Sequence, residues 1–150
     1  MIQRVQSVFI FLMVLGCSLL LVFPYKVYSA MNPQPMIIEI TLLPLYLSGD
    51  VSKLVYIPAL LNLLILILSL LALFSFKKRK KQLSYLNLTL LLSLALLSSM
   101  YFLDFYSVDE KAKSIRWAFI LPALNLIFSF LASHFIKKDE ELVRSADRLR

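Results

Sequence analysis

The feature that most constrains the fold of this chain is a pair of apolar runs separated by a basic cluster. Residues 57–76 and 83–103 contain no Asp, Glu, Lys or Arg, and positions 77–81 between them are all Lys or Arg. Each run has about the 20 residues that an α-helix needs to cross a hydrocarbon layer roughly 30 Å thick. Five adjacent cations are costly to place in lipid and rarely cross it, so they mark the side of synthesis. The pattern predicts a transmembrane helical hairpin.

Two further apolar segments flank this hairpin, which predicts a bundle of four transmembrane helices. The spans are expected at residues 4–23, 56–76, 83–103 and 117–136, and Pro24 ends the first because proline disrupts a helix interior. The chain is 60% hydrophobic, whereas soluble domains have roughly 45–50% apolar residues. We therefore predict a single all-α membrane domain over residues 1–150.

The N-terminal segment has two other interpretations. A basic start followed by an apolar core is also typical of a secretory signal peptide, but residues 28–30 form a poor cleavage site. The sequence around Cys17 resembles a lipoprotein cleavage box, although the apolar run continues to Phe23 where a polar tether would be expected. Cys17 is the only cysteine, so an intramolecular disulfide is impossible. We favour a retained first helix.

The distribution of charge predicts the orientation. With four spans, one side of the membrane holds eleven Lys/Arg and four Asp/Glu, a net charge of +7, and the other holds five of each. Basic residues concentrate on the cytoplasmic side of membrane proteins. Both termini are therefore expected in the cytoplasm, and the basic face is expected to attract anionic lipid heads. Nucleic acid is a less suitable partner, because the excess charge lies at a membrane surface.

The outer loops are expected to form a small extracytoplasmic cap. Residues 24–55 contain three prolines after Pro24, and residues 36–41 alternate β-branched and polar side chains in a way that favours a short strand. Residues 42–47 are too apolar for a free loop and are expected at the membrane surface. The second outer loop, residues 104–116, is interpreted as a helical turn.

Polar residues within the spans are the candidate intramembrane site. Asn62 and Asn125 lie about 7 and 12 Å below the outer edge, so they can meet in the outer half of the bundle. They fit either a polar path or ordinary hydrogen bonds between helices, worth about 0.6–2 kcal/mol each. The similarity of residues 57–63 to residues 121–126 fits an internal duplication and convergence equally well.

No chemistry-bearing cluster is evident in the sequence. His134 is the only histidine, and a lone histidine makes a poor metal site, although a pH switch is an alternative role. Catalytic signatures such as a phosphate-binding glycine loop or paired intramembrane carboxylates are not found. We therefore expect no enzymatic activity, no cofactor and no small-molecule substrate.

The C-terminal segment, residues 137–150, is predicted to extend the fourth span as an amphipathic helix. Glu140 and Arg144 have the favoured i,i+4 order of acid before base. We hypothesise that its three adjacent acids face the basic cluster; the alternative is a solvated helix held by its own pairs. The candidate residues for contact with partners or lipid are Lys77, Lys78, Arg79, Lys80, Lys81, Asp139, Glu140, Glu141, Arg144 and Arg148.

Both ends of the chain carry a family resemblance. Residues 1–7, Met-Ile-Gln-Arg-Val-Gln-Ser, and especially residues 138–150, Lys-Asp-Glu-Glu-Leu-Val-Arg-Ser-Ala-Asp-Arg-Leu-Arg, resemble the four-span membrane family catalogued as domain of unknown function 4293, from Bacteroidota. The resemblance implies a location in the inner membrane and argues against a cleaved signal or a lipoprotein. It implies no activity, substrate or catalytic residue.

These features favour a non-catalytic accessory subunit or assembly factor of the bacterial inner membrane. It would act through contacts with anionic lipids and with other membrane proteins or copies of itself. The alternative is a small oligomeric transporter or channel, with a polar path near Asn62 and Asn125.

The predicted orientation can be tested by accessibility in membranes. Single cysteines introduced by Arg79→Cys and Arg148→Cys should react with an impermeant thiol reagent from the same side, because an even number of spans separates them from one another. A cysteine introduced at residue 50 should react from the opposite side. Labelling of residues 79 and 148 from opposite sides would contradict the four-span topology.

Overall fold

The computed structural model describes residues 3–24, 26–32, 34–40, 56–76, 78–106 and 113–148. Four long α-helices dominate this part of the chain, as the apolar runs predict. They are α1 (Gln3–Val22), α2 (Tyr56–Phe74), α3 (Arg79–Tyr106) and α4 (Leu121–Arg148), and a 3-10 turn (Trp117–Ile120) precedes α4. Each helical segment is long and apolar enough to cross a membrane. Length and composition thus indicate a multi-pass membrane protein.

Each helix buries a narrow stripe, and on α2 and α3 the buried positions alternate at intervals of three and four residues. On α2 the buried positions are Pro58, Asn62, Ile65, Ser69 and Ala72. This heptad spacing is typical of helices that cross at a shallow angle and interlock side chains as in a left-handed coiled coil. The same spacing on α3 gives the buried stripe Gln82, Leu86, Thr89, Ser93, Leu96 and Met100. We call these buried stripes the inner seams of the bundle.

Neighbouring helices run antiparallel around the bundle. Helix α1 packs against α2 and α4, and α3 completes the ring between α2 and α4. The Gln6 side chain near the start of α1 donates a hydrogen bond to the Phe135 carbonyl of α4. The start of α1 and the later part of α4 therefore lie at one end of the bundle, together with the start of α3. We call this end, which carries Lys78–Lys81 and Lys137–Lys138, the basic end.

The core consists of two apolar clusters stacked along the bundle axis. The cluster far from the basic end contains Cys17, Leu20, Ile65, Leu96, Met100, Ala118 and Leu121. The cluster nearer the basic end contains Ile10, Met13, Ala72, Leu86, Ala132 and Ile136. Phe9 extends the second cluster by stacking on Phe135, with ring centroids 5.7 Å apart. All four helices contribute to each cluster, so the bundle is closed on itself.

Two segments of the chain form a three-stranded antiparallel sheet. Two of its strands come from the connection between α1 and α2, and the third comes just before the 3-10 turn. Its strands are β1 (Lys26–Asn32), β2 (Gln34–Ile40) and β3 (Lys113–Ile115), in the order β2-β1-β3. Strand β1 pairs along its whole length with β2, and its first three residues pair with β3. We call the end of the bundle that carries this sheet the sheet end.

Some boundaries differ from the sequence-based expectations. Helix α3 begins at Arg79 rather than at residue 83, because Arg and Lys are good helix formers and extend the helix into the basic cluster. The loop at residues 104–116 was expected to form a helical turn. Asp104–Tyr106 instead continue α3 and Lys113–Ile115 form β3, while residues 107–112 lie outside the described residues. Pro122 is the second residue of α4, where its missing N–H has no helical partner to lose.

Candidate functional site

A polar layer centred on Cys17 joins three helices inside the bundle. The Asn62 amide of α2 donates to the Cys17 carbonyl oxygen, with an N to O distance of 3.1 Å. The Asn125 amide of α4 donates to the Cys17 sulfur at 3.2 Å. Both asparagines are almost fully buried, with exposed fractions of 0% and 1%. The two residues predicted to meet in the bundle thus come together on one residue of α1.

Gly16 permits this close approach of α1 and α4. A Cβ atom at Gly16 would lie 2.5 Å from Oδ1 of Asn125, a distance that requires the amide to move. Small residues let helix backbones approach closely, so that side chains on one helix reach the main chain of the next. The glycine is therefore needed for the position of Asn125 and for its hydrogen bond to Cys17.

The carbonyl oxygens of both asparagine side chains remain available as acceptors. Within the described residues, Asn62 Oδ1 and Asn125 Oδ1 are buried and accept no hydrogen bond, and Ser133 Oγ is likewise unpaired. A buried polar atom without a partner costs about 1–3 kcal/mol. The layer can therefore accept hydrogen bonds from a small donor, but apolar side chains occupy the axis on both sides of it.

A second polar layer lies closer to the basic end. The hydroxyl groups of Thr89 on α3 and Ser129 on α4 are 3.1 Å apart. Each hydroxyl is also 2.8 Å from the Leu86 carbonyl oxygen and can donate to it. Because each hydroxyl has one proton, the two protons form two of the three contacts in this triangle, and both are used within the protein. The layer has the character of a structural contact between α3 and α4.

The basic end carries the charged candidates. Lys78, Lys80, Lys81, Lys137 and Lys138 are exposed. The Arg79 guanidinium lies 3.2 Å from the Asp139 carboxylate, with side-chain exposures of 32% and 14%. This pair joins the first residue of α3 to α4 beyond its apolar part. One of the three acids predicted to face the basic cluster therefore does so.

The other predicted site residues are placed as follows. Glu140 is half-buried and Glu141 is exposed. His134 is exposed on α4 beside the ring of Phe130, with centroids 6.5 Å apart, and lies away from the asparagine layer. Lys77 and the side chains of Arg144 and Arg148 lie outside the described residues. Among those that are described, no three His, Cys, Asp or Glu residues come together as a metal site.

Three residues at contacts between helices were not singled out from the sequence: Gly16, Thr89 and Gln6. For Gln6 and Thr89 the heptad spacing of buried residues was the available signal. Gln6 precedes Met13 by seven residues, and Thr89 lies seven residues after Gln82 and seven before Leu96, so each falls on a buried seam. A search for polar residues in phase with the apolar seam would have found these two, but not Gly16, which lies one residue before the seam position Cys17.

Comparison with known protein families agrees with this architecture. A family model described as Domain of unknown function (DUF4293) matches residues 2–149. The chain belongs to this family. The match confirms the resemblance seen at the two ends and covers all four helices of this DUF4293 chain. No curated protein matches its sequence.

Replacing Gly16 should destabilise the bundle through Asn125. We expect Gly16→Ala to lower the free energy of unfolding by about 1–3 kcal/mol, the usual cost of overpacking a tight contact. In an Asn125→Ala background the same change should be neutral or stabilising, because alanine favours helix and the clash is gone. SDS-induced unfolding followed by circular dichroism measures both values. An equal loss in the two backgrounds would contradict the contact; Ser18→Ala, on the exposed face of α1, is the control.

Exchanging the two residues of the Arg79–Asp139 pair should preserve the ion pair, with the charges reversed. Either Arg79→Asp or Asp139→Arg alone should lower the free energy of unfolding by about 1 kcal/mol, because each places like charges together at a partly exposed site. The double variant should regain or exceed the wild-type value, since aspartate is favoured at a helix N-terminus and arginine is not. Additive losses in the double variant, measured by the same unfolding method, would show that the pair contributes nothing.

Proposed function

We propose that this DUF4293 protein is a non-catalytic accessory subunit or assembly factor that docks on a larger complex of the bacterial inner membrane. The observation that carries the proposal is the extension of α4 beyond the apolar core. Helix α4 continues unbroken for twelve residues after Ile136, to Arg148, which corresponds to about 18 Å of helix. A helix that projects so far from the bundle offers a surface to a partner.

The composition of this extension suits protein contact. Leu142 and Val143 are about half exposed, at 49% and 47%. Glu141 beside them is exposed, and the Arg79–Asp139 pair braces the base of the extension against α3. An apolar pair surrounded by charged residues has the composition of a small protein interface with a polar rim. The partner surface should therefore be apolar at its centre.

The exposed lysines of the basic end support a position against anionic lipid heads. Five exposed lysines lie at the start of α3 and at the base of the α4 extension: Lys78, Lys80, Lys81, Lys137 and Lys138. A lysine or arginine near an anionic membrane surface contributes about 1 kcal/mol. Under the positive-inside rule these lysines support a cytoplasmic position of the basic end, and of both termini, in the proposed inner-membrane protein.

A second function is favoured by the unpaired acceptors of the asparagine layer. Asn62 Oδ1 and Asn125 Oδ1 are buried acceptors that a permeating donor could use. In the transporter that this suggests, the apolar clusters on both sides of the layer would have to open. The accessory function requires no such rearrangement, and we therefore prefer it.

The two functions are separated by purification from native membranes in a mild detergent. We expect foreign membrane subunits to co-purify with the wild-type protein at a fixed ratio. With the double variant Leu142→Ser/Val143→Ser, the amount of co-purified foreign subunits should fall at least tenfold, because the docking surface no longer has an apolar centre. The control Leu60→Ser/Ile67→Ser alters exposed residues on the apolar surface of α2 and should retain the subunits. Mass spectrometry with isotope-labelled standards measures the ratio.

Purification of copies of this chain alone would contradict the accessory function. If such a preparation also moved solute across proteoliposomes, and Asn62→Leu stopped the flux, the transporter would be the better assignment. Retention of subunits by the Leu142→Ser/Val143→Ser variant would show that the α4 extension is not the docking surface.

A further inference from the structure

Helix α3 carries a second heptad stripe on its outer surface. The positions Ser84, Asn87, Leu91, Leu94, Ser98 and Tyr101 follow one another at intervals of three and four residues, and all are exposed. We call this stripe the outer seam of α3. Its spacing is the same as that of the inner seam on the opposite side of the helix, so it has the geometry to pack against one more helix.

Asn87 distinguishes this stripe from the surfaces of the other helices. It lies six residues after Lys81, about 9 Å further into the bilayer. The Thr89–Ser129 hydrogen bond gives the same depth, because Ser129 lies about 12 Å before Lys137 and Asn87 lies about 3 Å nearer the basic end. Asn87 makes no hydrogen bond within the described part of the chain, so its amide faces lipid at that depth.

The exposed polar residues on the other helices do not leave an unpaired polar group deep in the lipid. Ser18 on α1 satisfies its hydroxyl by donating to the Val14 carbonyl oxygen at 2.8 Å. His134 on α4 is only three residues from Lys137, which places it about 4.5 Å from that lysine and close to the headgroups. The exposed residues of α2 between Leu60 and Leu71 are apolar. Asn87 is thus the deepest exposed amide among the described residues.

From this arrangement we infer that two copies of the protein associate through the outer seam of α3, with the Asn87 side chains hydrogen-bonded to each other. Two copies inserted in the same orientation are related by a two-fold axis along the membrane normal, so equivalent residues lie at equal depth. Asn87 therefore meets Asn87, and each amide can donate to and accept from the other. A foreign helix would need its own polar group at the same depth.

The remaining residues of the seam fit the same dimer. Leu91 and Leu94 are 65% and 55% exposed and provide the interlocking apolar contacts. Ser98 is small and already donates to the Ala95 carbonyl oxygen at 2.9 Å, so it permits close approach without a new partner. Lys80 lies four residues before Ser84 on the same side of α3, so the dimer brings two like charges together at the headgroup level. Anionic lipid heads there offset the repulsion.

Energy transfer between donor-labelled and acceptor-labelled copies in vesicles tests the dimer. The vesicles contain phosphatidylethanolamine and phosphatidylglycerol, and the protein-to-lipid ratio is lowered stepwise. We expect the ratio at half-dissociation to rise about tenfold in Asn87→Leu, a typical effect of losing a hydrogen bond between membrane helices. Asn87→Gln should retain the dimer, because glutamine keeps both donor and acceptor. Ser18→Leu is the matched control for an exposed polar position and should behave as wild type.

Oxidative cross-linking in native membranes tests the orientation of the two copies. Leu91→Cys on α3 should give a disulfide-linked dimer of the chain, whereas Leu71→Cys on the exposed face of α2 should not. The native Cys17 is buried and serves as the background. A wild-type protein that stays monomeric at every density, an unchanged dissociation of Asn87→Leu, or cross-linking of Leu71→Cys in place of Leu91→Cys would each overturn the proposal. Cross-linking of Leu91→Cys to a foreign protein alone would also overturn it.

Discussion

Within a bundle of apolar helices, polar side chains depend on a neighbouring helix or on their own backbone for hydrogen-bond partners, because lipid supplies none. This requirement organises the interior of the structure. Cys17 offers its carbonyl oxygen to Asn62 and its sulfur to Asn125, so one residue of α1 holds α2 and α4 in register. The glycine at position 16 allows the approach. Apolar packing alone would tolerate sliding along the helix axis; these bonds fix the level at which the helices meet.

Two charged side chains at the basic end of the bundle also have partners on neighbouring helices. Arg79 is the first residue of α3, where the positive end of the helix dipole disfavours a cation. Asp139 offsets this, and the bond also ties α3 to the part of α4 that lies beyond Ile136. The extension of α4 is therefore anchored at its base, and its described side chains at Glu141, Leu142, Val143 and Ser145 are exposed. An anchored base and an exposed surface suit the docking role that we propose for this helix.

The sequence predicts the four helices well because length and charge determine them: an uncharged run of twenty residues has few alternatives. It also predicts that Asn62 and Asn125 come together inside the bundle, which requires only counting residues from the ends of the spans. Rotation about the helix axis is harder to predict, and for that reason Gly16 and Thr89 were overlooked and the partners of the asparagines could not be named. Strand β3 was missed because three residues carry no periodic pattern, and its pairing with β1 joins segments more than eighty residues apart.

Helix α3 shows how far the same reasoning extends. Its two seams contain similar residues: Thr89 and Ser93 lie among leucines on the inner side, and Asn87 and Ser98 lie among leucines on the outer side. The inner polar groups are bonded to neighbouring helices or to their own backbone. On the outer side Ser98 bonds its own backbone, but an asparagine is too long and has too many polar atoms to be satisfied in that way. Among the outward-facing residues that the structure describes, Asn87 thus has an amide without a partner, and in lipid another protein surface can supply one.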